Sequence, residues 1–171
     1  MSWHTEVLNA KPWKGDRPPG RILAIRLQAL GDTVITLPWL SSLKDQIPNL
    51  QLDFLVLEKN ADLPRGLKLF DRVYGLKGAF AKLQFFYANL LLPSLLFNRY
   101  DVVIDLQRNS ISRWVRFWLF PKAWSEIERF SESLAGEKFR AGIGAIGFKN
   151  IGIPTELKIK EDRGIRILTN A

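Results

Sequence analysis

Apolar residues fall along this chain in short continuous runs, separated by stretches in which they recur every three or four positions. Arg21–Leu27 is a continuous aliphatic run of the kind that suits a strand covered on both faces. From Asp32 onward, Val34, Leu37, Leu40, Leu43 and Ile47 repeat at helical spacing. Pro38 falls inside that repeat and predicts a kink or a reset, and Pro48-Asn49 ends it. Further strands are predicted at Leu50–Leu57, Asp71–Leu76 and Asp101–Asp105, and a short one at Glu126–Phe130. Glu58–Phe70, with Pro64 and Gly66, reads as a short irregular helix. Helices are predicted over Gly78–Asn98, broken at Pro93, over the Trp- and Arg-rich Ile111–Phe120, and over Glu132–Gly147. Gly136, Gly142 and Gly144 weaken the last of these.

Strands alternating with helices of ten or more residues specify right-handed βαβ crossovers. The predicted fold class is therefore α/β: a Rossmann-like parallel sheet with helices on both faces. Residues 1–20 read as an irregular N-terminal extension, with Trp3 and Trp13 placed to pack back on the domain. Residues 21–152 form the Rossmann-like domain. Residues 153–171 have no further βα unit and read as a linker-like tail, with a following domain absent.

Composition narrows the chemistry. The chain has 171 residues, of which 47% are hydrophobic, enough for one globular domain. It contains no Cys and one His, His4, so thiolate chemistry, a His-based triad and a multi-His metal site are excluded. Acid–base work falls to Asp, Glu, Lys or Tyr. The net charge of +8 favours anionic partners such as phosphates or acidic lipids. No nucleic-acid motif accompanies the charge, so no nucleic-acid partner is expected. Met1–Gly20 lacks an apolar run, which makes the cytoplasm the default location. Leu83–Phe97 is strongly apolar but short of the roughly 20 residues that span a bilayer, and Gln84, Asn89 and Pro93 interrupt it. It reads as a buried or half-buried helix, with a helix lying on a membrane surface as the alternative.

The most informative stretch is the first strand with its loop, Gln28-Ala-Leu-Gly31, and the carboxylate Asp32 at the start of a helix. Ligands of open α/β sheets bind beyond the carboxyl ends of strands, facing helix N-termini. Asp32 there either caps the helix or acts as a base on a bound substrate. Gly31 reads as a turn residue of positive φ that also lets a ligand approach the backbone. Asp105-Leu-Gln-Arg-Asn109 follows another strand and is either a capping-and-turn cluster or a second ligand-facing loop. In the second case Asp105 belongs to a substrate-binding loop in which Gln107 and Asn109 face sugar hydroxyls and Arg108 a phosphate. Arg113, Arg116, Lys122 and Arg129 add charge nearby, interleaved with Trp114, Trp118 and Trp124. Such a stretch is either a solvated face over core tryptophans or a contact with an anionic membrane surface.

The motifs Ala29-Leu-Gly-Asp32, Thr36-Leu-Pro38, Leu52-Asp-Phe-Leu-Val56, Asp71-Arg-Val73 and Arg99-Tyr-Asp-Val-Val-Ile-Asp-Leu-Gln107 occur in that order. Asn109 and Ala135-Gly-Glu137 follow. Over Arg21–Gly147 this pattern resembles glycosyltransferase family 9, the ADP-heptose:lipopolysaccharide heptosyltransferases. The resemblance implies the N-terminal, acceptor-side half of a GT-B fold, with Asp32 as the base of an inverting sugar transfer. It implies an ADP-heptose-like nucleotide-sugar donor, no metal, and an anionic glycolipid acceptor of lipopolysaccharide core synthesis. It places the chain peripherally at the cytoplasmic face of the inner membrane. The chain is then expected to be either a truncated product or a subunit whose donor-binding half comes from a second chain, and alone it is expected to be inactive. Arg108 stands where the family often has Gly. Two other readings compete: a non-catalytic envelope-associated binding module, and a generic Rossmann-like nucleotide binder. The second lacks both Gly-x-Gly-x-x-Gly and a P-loop after the first strand.

Overall fold

The computed structural model describes residues 9–127 and 135–148. Six strands form one sheet: β1 (Ala10–Lys11), β2 (Arg21–Ile25), β3 (Gln51–Leu57), β4 (Arg72–Leu76), β5 (Val102–Asp105) and β6 (Ala123–Glu126), in the order β1-β6-β5-β2-β3-β4. All pairings are parallel except β1 with β6, so the sheet carries one antiparallel edge. The helices are α1 (Leu30–Gln46), the short α2 (Asp62–Gly66), α3 (Ala81–Phe97), α4 (Ser110–Leu119) and α5 (Ala135–Gly144). A 3-10 turn at Glu58–Asn60 precedes α2, so the β3–β4 connection is short and irregular as predicted.

Alternation along β2 sorts its side chains between two cores. Ile22 and Ala24 join Leu37, Leu40 and Leu43 of α1 and Phe139 and Ile143 of α5. Leu23 and Ile25 join Ala88 and Leu95 of α3 and Val115 and Leu119 of α4. Helices thus cover both faces, and the continuous aliphatic run of β2 follows from burial on both sides. Trp13 packs against the α1 core, which ties the N-terminal extension to the domain, and β1 lengthens the sheet from within that extension. Trp3 lies outside the described residues.

Carboxylates fasten the starts of the strands. Asp101 accepts hydrogen bonds from the Gly20 and Arg21 amides at 3.0 and 3.3 Å and from Lys122 Nζ at 2.9 Å. Asp71 accepts from the Leu52 amide and Lys44 Nζ, both at 2.8 Å. Partial burial opposes ionisation of Asp71, but the Lys44 ammonium and the Leu52 amide outweigh it and hold the carboxyl below its ordinary value.

Three local expectations need correction. Pro38 and Pro93 both sit inside unbroken helices, so neither resets the pattern. The last strand is Ala123–Glu126, not Glu126–Phe130: Asp105 pairs with Glu126, and this register with β5 places the small, weakly strand-forming residues Ala123 and Ser125 in the sheet. Residues 128–130 lie outside the described residues. α3 starts at Ala81 because Gly78 adopts φ +119°, where a side chain would meet the Gln84 backbone, and Phe80 is the N-cap.

Candidate functional site

β2 is the switch point of the sheet, with β3 on one side and β5 on the other. The loops leaving β2 and β5 therefore part above their carboxyl ends and open a crevice. A cleft of about 410 Å³ lies there, lined by Arg26, Gln28, Asp32, Gln107, Lys138 and Phe139, with Ala29 and Ile127. Asp32 is presented from the first turn of α1.

α1 begins earlier than the sequence suggested. Its N-cap is Ala29, in extended conformation, whose carbonyl accepts from the Thr33 amide at 2.9 Å. No side chain caps it. Asp32 is the third helical residue, so the capping role is corrected: the carboxylate is left to the cleft, with 38% of its side chain exposed. Gly31 is likewise helical and not at positive φ, which corrects its reading as a turn residue. It is exposed, does not line the cleft, and a Cβ there would meet nothing within 4 Å. Packing does not explain a glycine at this position.

Arg26 holds Asp32. Its guanidinium pairs with Asp32 Oδ2, donates to the Leu106 carbonyl, and lies 5.2 Å from the Phe139 ring centroid. The arginine side chain is 9% exposed. A nearly buried guanidinium shared between a carboxylate and a carbonyl fixes the orientation of that carboxylate. Our sequence reasoning missed Arg26. The signal was there: a cation within an aliphatic run, Ile-Leu-Ala-Ile-Arg-Leu, just past the end of β2.

The loop after β5 is built differently. Asp105 is fully buried and accepts from the Gln107 amide at 3.0 Å, the Arg108 amide at 2.8 Å and Ser112 Oγ at 2.8 Å. Burial pushes its carboxyl above the ordinary value, against the pull of these donors. Asn109 is the N-cap of α4 in a reciprocal capping box with Ser112. Arg108, at φ 50°, directs its guanidinium to Glu126 at 3.5 Å and to the Ile127 carbonyl at 3.4 Å. Asp105, Arg108 and Asn109 are thus near the cleft but do not line it. Gln107 does line it, and its Oε1 accepts from the Leu27 and Gln28 amides, each at 3.0 Å, tying the two loops together.

Glu126, fully buried at the end of β6, gathers Arg108, Arg113 at 2.9 Å and Arg116 at 2.5 Å. Burial opposes its ionisation, but Arg113 and Arg116 outweigh that and keep its carboxyl below the ordinary range. Among the described residues no group of three or more His, Asp or Glu side chains is placed to hold a metal ion.

No protein-family model matches the sequence, and no curated protein does. Solved structures do match. A glycosyl transferase family 9 protein from Veillonella parvula superposes with a TM-score of 0.70 at 16% identity, over 82% of this chain and 44% of that one. The E. coli ADP-heptose lps heptosyltransferase II follows at 0.61 and 16%, over 82% and 47%. The E. coli heptosyltransferase WaaC, solved with ADP, gives 0.52 and 19%, over 80% and 49%. The chain has the α/β fold of these glycosyltransferases and spans about half their length. The structural likeness therefore runs to the same enzymes as the motifs.

Proposed function

We propose that this chain is the acceptor-side half of an inverting glycosyltransferase, with Asp32 as the base. The observation that carries this is the Arg26-anchored, cleft-facing Asp32 at the switch point of a fold shared with family 9 glycosyl transferases. In this reading Asp32 takes the proton of an acceptor hydroxyl. The freed oxygen attacks the anomeric carbon of a nucleotide sugar, and the nucleoside diphosphate leaves from the opposite side, so the configuration inverts. Arg26 orients the carboxylate, and Gln107 keeps the two cleft loops in register. With Arg26 offset by Asp32, Lys138 leaves the cleft wall net cationic, which suits a phosphorylated or carboxylated glycolipid of lipopolysaccharide core synthesis. WaaC has been solved with ADP and with ADP-2-deoxy-2-fluoro heptose, which supports an ADP-heptose-like donor, presented by a complementary donor-binding unit.

The test is reconstitution. The chain is combined with a donor-binding half from a structural neighbour, and transfer from ADP-heptose to a core glycolipid is followed by mass spectrometry. Asp32→Asn should lower turnover by on the order of 10²–10⁴, with acceptor affinity little changed. Full turnover by an active reconstituted Asp32→Asn enzyme would remove Asp32 as base. Acceptor binding without turnover in any combination would favour a non-catalytic binding module.

A further inference from the structure

α3 departs from the usual pattern of a helix that covers a sheet. Its inner positions Gln84, Ala88, Leu92 and Leu95 are buried at the expected spacing. The outward positions of such a helix are ordinarily polar. Here the outward stripe is Lys82, Phe86, Leu90, Pro93 and Phe97, one face at 3.6 residues per turn. Phe97 has 87% of its surface exposed, Leu90 59% and Phe86 57%. The neighbouring α4 continues this surface with Phe117 and Trp118, and Phe120 just past its end is 71% exposed. One ring contact joins the two helices, Phe85 to Trp114 at 5.2 Å; Trp114 to Trp118 at 5.6 Å and Phe117 to Phe120 at 5.9 Å carry the aromatic surface along α4. At 1.5 Å per residue α3 alone is about 25 Å long. An apolar face of that reach on a protein surface marks a contact.

Charge and ring chemistry decide what covers it. Lys82 lies on the stripe itself and Arg99 just past the end of α3. Both are exposed, and neither has an acidic partner among the described residues. A second copy of a chain of net charge +8 would bring these cations against their own kind. An anionic bilayer surface is complementary to both the charge and the rings. Aromatic side chains settle at the headgroup level, where the ring is apolar and its polar edge stays satisfied; Trp114 Nε1 already donates to Asn89 Oδ1 at 3.2 Å. No described helix is long and apolar enough to cross a membrane, so the contact lies in the plane of the surface. The face belongs to the α3–α4 layer, whereas the cleft opens at the strand ends and is walled by α5, so a docked chain keeps its cleft accessible. We propose that the α3–α4 face docks this protein onto an anionic lipid surface. This inference is independent of the transferase reading.

Co-sedimentation of the full chain with vesicles tests it. The vesicles are either phosphatidylglycerol with phosphatidylethanolamine or phosphatidylcholine alone, at low and high salt. The chain should pellet with the anionic vesicles and bind them less at high salt. Phe86→Ser/Leu90→Ser/Phe97→Ser should weaken partitioning at least about tenfold. Phe97→Ser alone, at the most exposed position, should weaken it in the same direction and serves if the triple variant misfolds by circular dichroism. Lys82→Glu/Arg99→Glu should reduce binding and its salt dependence. No binding to either vesicle type, or undiminished binding by the well-folded serine variants, overturns the proposal. So does a dimer in sedimentation velocity that the serine variants dissociate while the chain ignores vesicles, since a second copy then covers the face.

Discussion

Asp32 and Asp105 follow neighbouring parallel strands at the same edge of the sheet, yet they are built into opposite roles. Asp105 is sealed in, and its oxygens are taken up by two amides and a serine hydroxyl. Asp32 has one arginine partner, Arg26, and more than a third of its side chain open to a cleft. A carboxylate surrounded by donors of its own loop stabilises that loop and has no oxygen left for a substrate. A carboxylate oriented from one side and open on the other is placed to accept a proton. The position of an acid at a strand end therefore says little about its role; the number of donors the fold spends on it says more.

The largest effect that would sharpen this contrast is kinetic: Asp32→Asn costs on the order of 10²–10⁴ in turnover of the reconstituted enzyme, with a melting temperature shifted by only a few degrees. Asp105→Asn should do the reverse. The new amide keeps Oδ1 for the Gln107 and Arg108 amides but turns a donor toward the Ser112 hydroxyl that donates to Oδ2, and stability should drop by about 1 kcal/mol in a urea titration. If Asp105→Asn unfolds at the wild-type midpoint, the buried network is not what holds the loop.

Acid titration probes a second buried acid, Glu126. The folded value of Glu126 is depressed, so its contribution to stability is fully present above the ordinary glutamate value of 4.5 and is lost as pH falls through the folded value. Asp105 is raised in the fold, so its contribution has the opposite sign: stability gains as pH falls through that raised value. Thermal melts of Glu126→Gln between pH 3 and 6 (roughly the span over which carboxylates titrate) should show a shallower acid loss than wild type. An unchanged slope would move the acid sensitivity to Asp71 and Asp101.

The smallest effect is at Gly31. Gly31→Ala gains helix propensity in open space, so stability should rise by up to about 1 kcal/mol, and acceptor affinity measured by calorimetry falls only if the acceptor approaches the backbone there. Unaltered acceptor affinity would take Gly31 out of the site.

Much of the fold is legible in the sequence because its signals are local. The aliphatic runs at Arg21–Leu27 and Leu50–Leu57 can be satisfied only by strands buried on both faces, and the spacing from Leu37 to Leu43 only by a helix. Boundaries were less legible. The helix after β2 starts at Leu30, where a cap without any side-chain bond leaves no mark in the residue types. β6 holds Ala123 and Ser125, small residues that become a strand through pairing with β5.

What the sequence alone determined is most of the elements, with β1 and the place of β6 excepted, and the edge of the sheet at which Asp32 and Asp105 meet, since periodicity and chain order suffice for both. What only the tertiary structure decided is which side chains face each other there. Arg26 reaches the Leu106 carbonyl and Gln107 reaches the Leu27 amide, each across 80 residues of chain. The outer stripe of α3 tells the same story: a helix apolar all round gives no local sign of which side will be left uncovered. Burial and pairing are set by contacts between distant segments. They exist only once the sheet has brought those segments together, and they separate a reactive carboxylate from a structural one.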